Sequence, residues 1–384
     1  MRRFSLLLSL ALSMPGRAAV LERAANTVPP SLPASAIAAA PSFNAAPVFA
    51  PSPLAAPSIN LPSPVPVSAA PAKAASAHPS RQALEALFTE LDASYPLPEG
   101  SPAARVRARV RSQLLASARE LAAPEDDILQ TVARESDRAL ARIQERLDAR
   151  EIDPSRTVRL SESDPESKDE THARIGVYPV AADPFQWGHL LIALRAVGDL
   201  GLDKVVFVLQ GDDTRKPTMT AADLRHAMGR EVLAAFEPFF AYSPIAIGTT
   251  LNGEANIFRI LALNPGRRVD AWYMVGDDHY RLVDKKGNPD TLPTLERNFA
   301  SPMGHSPTLH ALKVAFIKRE QPAEEVPTSL EVRFLDHVGF DASSTQVRDG
   351  RHSLMPFAAY DFARKNAGLY GIPPAPAGDE GNGD

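Results

Sequence analysis

Two stretches of this chain combine residue types that can hold phosphate. The first is Gln186-Trp187-Gly188-His189, which follows Asp183-Pro184 and opens a helical pattern. A helix N-terminus presents unpaired N–H groups and a partial positive charge, so it receives anions well. Gly188 lets the backbone come close to a ligand, and a His in the first turn can donate a hydrogen bond to a phosphate oxygen. The plain alternative is a polar first-turn residue with no ligand. The second stretch is Ser343-Ser344-Thr345, followed by Gln346-Val347-Arg348. Hydroxyls at a helix start add to the free N–H groups there, and an Arg one turn later can bind phosphate in a bidentate manner. Alone this is an ordinary capped helix. Together the stretches supply two helix starts able to hold phosphates.

The elements that must position them can be read from hydrophobic pattern. Residues 175–181 and 205–209 are continuous apolar runs, as strands buried on both faces require. Between them a helix is predicted over 188–200, closed by Gly201. This strand-helix-strand unit has the length of a right-handed parallel crossover. Thr220 and Asp223 suggest a capping box for a helix over 221–236. Further strands are predicted at 245–248, 271–275, 314–317 and 330–335, with helices at 256–263, 344–348 and 356–366. The expected fold class is α/β, a doubly wound Rossmann-like parallel sheet whose ligands sit at the C-terminal edge of the strands.

Ahead of that domain, Leu84, Leu87, Phe88 and Leu91 keep the spacing of one helix face. Ser101-Pro102 offers a cap and first residue for a second helix, and a third holds Ile128, Val132, Leu140, Ile143 and Leu147. Arg105, Arg107, Arg109 and Arg111 alternate by two, which spreads them around a helix and predicts a solvated face. Residues 25–80 are rich in Ala, Pro and Ser, a composition that cannot bury enough surface to fold, so a disordered linker is expected. Residues 1–24 resemble a targeting segment: Arg2 and Arg3, then the apolar run 4–14, then small residues. A secretory signal, and so an exported or envelope-associated protein, is the first expectation; the alternative is an organelle, reached by a transit peptide, or the cytoplasm. The resulting division is 1–24, 25–80, a helical segment 81–154, an α/β domain 155–371 and a flexible tail 372–384.

Composition narrows the function classes. The 384 residues carry a net charge of -5 and no Cys, so disulfides and Cys-ligated metals are excluded and nucleic acid is not an expected partner. Asp212-Asp213 and Asp277-Asp278-His279 read as solvated turns, so no metal cage made by the protein is expected. His305 and His310 are expected at the surface, and Trp187 in packing or against a base.

The two phosphate-competent stretches, taken in order, resemble the nucleotidyltransferase superfamily with its (H/T)xGH and (I/V)SSTxxR signatures. The separation of His189 from Ser343 is closer to that of nicotinate/nicotinamide mononucleotide adenylyltransferases than to the shorter phosphopantetheine enzymes. The loop with Lys216, the pair Arg225 and Met228, and the strand end Gly276-Asp277 are similar to further parts of that subfamily. Gln186 stands where the family has His or Thr. Val180, Ala181 and Ala182 replace its usual Gly, Ser or Thr, and Phe.

The resemblance implies transfer of AMP from ATP to a small phosphorylated acceptor, with Mg²⁺ bridging the phosphates. It assigns His189 to the α-phosphate, and Arg348, Ser344 and Thr345, helped by Lys216, to the outer phosphates. Asp277 would face the nucleoside; Asp183, Gln186, Gly188, Gly276 and Ser343 complete the nucleotide-binding set. Two other classes compete: a catalytically degenerate nucleotide-binding domain on an exported protein, and a class I aminoacyl-tRNA synthetase-like ATP-binding domain. The second lacks support from any Lys-rich loop or basic surface. If the linker reading holds, limited proteolysis of the full chain releases a stable fragment that begins near or after Ser80; a protease-resistant N-terminal region would refute it.

Overall fold

The computed structural model describes residues 79–374, apart from 122–123, 167–171, 214–215, 217, 250–252, 302–304, 319–325 and 367. The signal-like segment, all but the last two residues of the expected linker and most of the expected tail therefore lie outside the described residues.

The described residues open on three helices: α1 (Pro79–Ser94), α2 (Pro102–Glu120) and α3 (Asp126–Asp148). The Ser101 side chain accepts from Ala104 N–H, with Pro102 opening α2 as expected. The α/β part follows as β1 (Ala173–Val180), α4 (Trp187–Leu200), β2 (Lys204–Leu209), α5 (Ala222–Ala234) and β3 (Phe240–Ser243). It continues through α6 (Gly253–Ala262), β4 (Val269–Gly276), α7 (Thr291–Ala300), β5 (His310–Lys318), β6 (Glu331–Asp336), α8 (Ser344–Arg348) and α9 (Phe357–Lys365).

The six strands form one sheet in the order β3-β2-β1-β4-β5-β6, every neighbouring pair parallel. This is the doubly wound α/β architecture, and the order reverses direction between β1 and β4. Side chains alternate between two cores, as the period of a strand demands. Tyr178, Phe207, Met274 and Ile317 face one; Val177, Val206, Tyr273 and Phe316 face the other. The first core runs on without a break into Val110, Leu114, Val132 and Ile143 of the helical segment. A boundary at 154/155 thus divides stretches of chain that share one core. Ile372, the first residue of the expected tail, is buried in it too. Gly201 closes α4 in the left-handed region, φ 63°.

Several local expectations are corrected. Residues 245–248 are a turn, in which Ile247 N–H donates to Pro244 O, and the strand lies earlier, at Phe240–Ser243. Pro244 has no N–H to extend the ladder, and the β-favouring Phe240 and Tyr242 precede it. Helix α7 is additional to the expected elements; Leu292 and Leu295 bury its inner face. Thr220 does not cap α5; the Asp212 carboxylate, from the preceding loop, accepts from Ala222 N–H at 2.9 Å. His305 and His310 are buried, His305 stacked on Phe299 and His310 bonded to Asn264 O at 2.9 Å. Burial pushes the His310 imidazole below its usual pKa.

Of the alternating arginines, Arg105 and Arg109 are exposed as a solvated face requires, but Arg107 and Arg111 are not. Arg107 and Arg111 turn inward onto Asp137 of α3, which is 1% exposed, at 3.3 and 2.5 Å, and both also reach Asp92. Arg109 donates to Ala234 O. Burial raises the Asp137 carboxyl in spite of the two guanidinium groups beside it. A cluster of this kind stands only while all its charges are present, because removing one leaves an uncompensated charge indoors. Asp137→Ala is expected to lower stability by about 3 kcal/mol or more in urea unfolding; a change within about 0.5 kcal/mol would mean that the cluster holds nothing.

Candidate active site

The turn from β1 into α4 is built by buried packing and by one cation. Phe185 and Trp187 are fully buried, so the motif Trp serves as packing. Ala182 adopts φ 50°, and Asp183-Pro184 is cis. The guanidinium of Arg225, also fully buried, donates to Ala181 O and Gln210 O at 2.8 Å and to Gly211 O at 3.0 Å. The ends of β1 and β2 are thereby fixed side by side. Gln186 then takes the extended N-cap conformation and α4 begins.

His189 lies in the first turn. Its Nδ1 accepts from Gln186 N–H at 3.3 Å. In the neutral imidazole the proton therefore sits on Nε2, which is the donor. The ring is set edge-on to Tyr178 and Phe185, at centroid distances of 6.4 and 6.1 Å.

A cleft of about 420 Å³ opens at the C-terminal ends of β1 and β4, the point where the strand order reverses. Ligands of doubly wound sheets bind at such points. Of the residues expected from the sequence, Gln186, Gly188, His189, Lys216 and Gly276 line it. Lys216 is exposed, on the loop after β2. Asp183, Asp277, Ser343, Ser344, Thr345 and Arg348 are not among the lining residues.

The fold nevertheless brings most of these together. The Arg348 guanidinium meets the Asp183 carboxylate at 2.6 Å and the Asp183 carbonyl at 3.0 Å. Ser343 caps α8 in a reciprocal capping box with Gln346. Gln186 joins the two helix starts: with its amide placed to satisfy both ends, its oxygen accepts from Ser344 N–H at 2.7 Å and its nitrogen donates to Ala342 O at 3.2 Å. Thr345 is exposed.

Asp277 departs from the expectation. It is buried, paired with Arg281 at 3.3 Å, and its N–H donates to Ile317 O. The strand ends at Gly276, and the turn that follows gives the cleft Asp278 and His279 instead. Gly276 is needed for this, because a Cβ there would lie 2.2 Å from Asp278 Oδ1. His337, which follows β6 directly, and Tyr178 also line the cleft, and neither belongs to a motif. Their place at the C-terminal ends of strands is the signal that could have found them.

Among the described residues, Asp278 is the one carboxylate that lines the cleft. Among the described residues, no group of three or more His, Asp or Glu side chains is arranged to hold a metal ion. Mg²⁺ commonly binds through substrate phosphates with only one or two carboxylates, and this cleft can provide one.

No family model matches the chain. Over 179 residues it is 28% identical to a probable nicotinate-nucleotide adenylyltransferase of Thermus thermophilus, covering 46% of this chain and 84% of that protein. The chain is a relative of the nucleotidyltransferases, most like the nicotinate-nucleotide adenylyltransferases. The probable nicotinate-nucleotide adenylyltransferase of Clostridium botulinum is 27% identical over 124 residues, 32% of this chain and 60% of that one. That of a Thermoanaerobacter species is 34% identical over 79 residues, 20% and 37%. Among solved structures, Plasmodium falciparum nicotinic acid mononucleotide adenylyltransferase complexed with NaAD aligns with 53% of this chain and 99% of its own, at 11% identity and TM-score 0.38.

For this adenylyltransferase relative, the Gly276 contact generates a direct test. Gly276→Ala must drive the Asp278 carboxylate from its place and, if the cleft takes ATP, is expected to weaken that binding about three- to tenfold by calorimetry, on the order of 1 kcal/mol, with an unchanged unfolding midpoint. Undiminished affinity would show that Asp278 has no part in the site.

Proposed function

We propose that this protein is an adenylyltransferase, moving AMP from ATP to a phosphorylated acceptor with release of pyrophosphate, and that the acceptor is nicotinate or nicotinamide mononucleotide. The observation that carries this reading is His189: a first-turn imidazole lining a switch-point cleft, its Nδ1 engaged by backbone so that Nε2 is the donor. The acceptor preference rests on the names of the similar proteins.

In this reaction a phosphate oxygen of the acceptor forms a bond to the α-phosphorus of ATP as the bond to pyrophosphate breaks in line. No protein nucleophile takes part; the protein positions anions and offsets charge that builds up in the transition state. His189 Nε2–H donates to an α-phosphate oxygen, and the backbone at Gly188 allows close approach. Lys216 reaches the outer phosphates from its exposed loop. Arg348 and the Ser343–Thr345 turn stand at the edge of the same region, and Arg348 exchanges its Asp183 partner for phosphate when ATP enters. The nucleoside-facing carboxylate is Asp278 rather than Asp277. Asp278, together with the substrate phosphates, would hold a Mg²⁺ ion, which would neutralise part of the phosphate charge.

The Asp183–Arg348 and Gln186–Ser344 contacts favour a second reading, in which the cleft binds nucleotide without turnover because groups suited to phosphate are engaged within the protein. Purified full-length protein with ATP, Mg²⁺ and either mononucleotide separates the two by pyrophosphate release. Under the first reading, His189→Ala lowers turnover about 10²- to 10³-fold while ATP affinity moves much less. Pyrophosphate release that survives the substitution nearly intact would remove His189 from the chemistry, and no release from the native protein would leave the binding reading.

A further inference from the structure

His337 lines the cleft, yet it belongs to no phosphate-binding stretch. It is the first residue after β6, at the head of the segment 337–343 that leads to α8. Both ends of that segment are fastened to α4. At its far end, the Gln186 amide holds Ala342 O and Ser344 N–H. At its near end, Arg195 Nη1 donates to Asp336 O at 2.6 Å and to His337 O at 3.1 Å. The other arm of the same guanidinium, Nη2, lies 2.5 Å from the Glu135 carboxylate on α3. Arg195 and Glu135 are mostly enclosed, 19% and 15% exposed in their side chains, so this ion pair is less screened than a surface one. Asp336 is further held by Lys318 of β5 at 3.6 Å.

His189 sits on α4 between these two fastenings, so its position relative to His337 is set by one rigid helix. Arg195 in turn owes its orientation to α3, an element of the helical segment. A guanidinium that spends one arm on a carboxylate and the other on two carbonyls has little rotational freedom left. His337 lines this cleft, which also presents Ile192, Ile317 and Ala342, and it borders the neighbouring cavity lined by Arg195 and Glu135 as well. An aromatic, hydrogen-bonding side chain among apolar neighbours suits a heteroaromatic ring bearing polar edges.

We propose that His337 contacts the nucleotide bound in the cleft, and that Arg195, held by Glu135, is a positioning residue that sets where His337 stands. The helical segment is thereby a working part of the site through α3. This rests on the nucleotide reading of the cleft given above, and goes beyond it in the residues it adds.

The test is NMR of the full chain with labelled histidine side chains, the His189 and His337 signals assigned from His189→Gln and His337→Gln, during titration with ATP and Mg²⁺. Both signals are expected to move in the native protein. In Arg195→Ala the His337 response should shrink or vanish and ATP affinity fall about fivefold or more, while the His189 response persists; Arg195→Lys should restore part of it, since one donor arm remains. Glu135→Gln, which keeps the Arg195 bonds to backbone, should lie between, and serves where Arg195→Ala does not fold. A His189 signal that moves while His337 stays still would overturn the contact and leave the nucleotide reading standing. Neither signal moving would overturn both. An unchanged His337 response in Arg195→Ala and Glu135→Gln would overturn the positioning role.

Discussion

The open edge of the sheet keeps its shape because one cation is shared among strand ends. Just past the ends of β1 and β2, the Arg225 guanidinium takes Ala181 O, Gln210 O and Gly211 O together with Thr220 O. Burial lowers its pKa, but an arginine begins so far above neutrality that it remains charged. Five donors in a fixed plane suit several acceptors that arrive from different directions, which a lysine could not match. The β1–α4 turn, the loop bearing Lys216 and the start of α5 all hang on that arrangement. The cleft has a stable floor because of it.

Helix α4 then connects this floor to the rest of the molecule. Gln186 caps it and its first turn carries His189; its inner face lies on the sheet in the core that includes Phe207 and Met274. Its other side meets α3, where Gly198 stands so close to Arg142 that a Cβ would come within 2.9 Å of that side chain. The Arg146 guanidinium donates to Gly198 O at 3.1 Å across the same contact. A helix clasped on both sides cannot shift without disturbing two layers, so the site inherits the rigidity of the whole core.

The parts legible in the sequence are those decided locally. Continuous apolar runs mark β1 and β2, Gly201 marks the end of α4, and Ser101-Pro102 marks the start of α2, because each depends on neighbours along the chain. Arg107 and Arg111 mislead because their pattern is the same whether water or a carboxylate waits on the other side; the deciding partner, Asp137, comes from another helix. Asp277 misleads as the cleft carboxylate for a related reason. Strand alternation fixes side-chain direction only as far as Gly276, and the turn beyond it hands the position to Asp278. Residues 245–248 have a strand's composition, and only the lack of a donor at Pro244 explains why the ladder stops earlier. The joining of the two helix starts by Gln186 is beyond sequence reasoning, since it depends on how α4 and α8 meet.

The strand order also imposes a timetable on the ribosome. β1 is flanked by β2 and β4, and β4 is made last of the three. The ~90 residues between β1 and β4, at roughly 5–20 residues per second, take about 5–18 s to synthesise. Through that interval one edge of β1 presents bare N–H and C=O groups, a template onto which another nascent strand could add. By then α1, α2 and α3 have already emerged, and α3 is the element that packs against α4 in the finished protein. The nascent half-sheet therefore has its outer helical cover at hand before its second half exists, and the apolar back of α4 need not wait for β4 to be shielded.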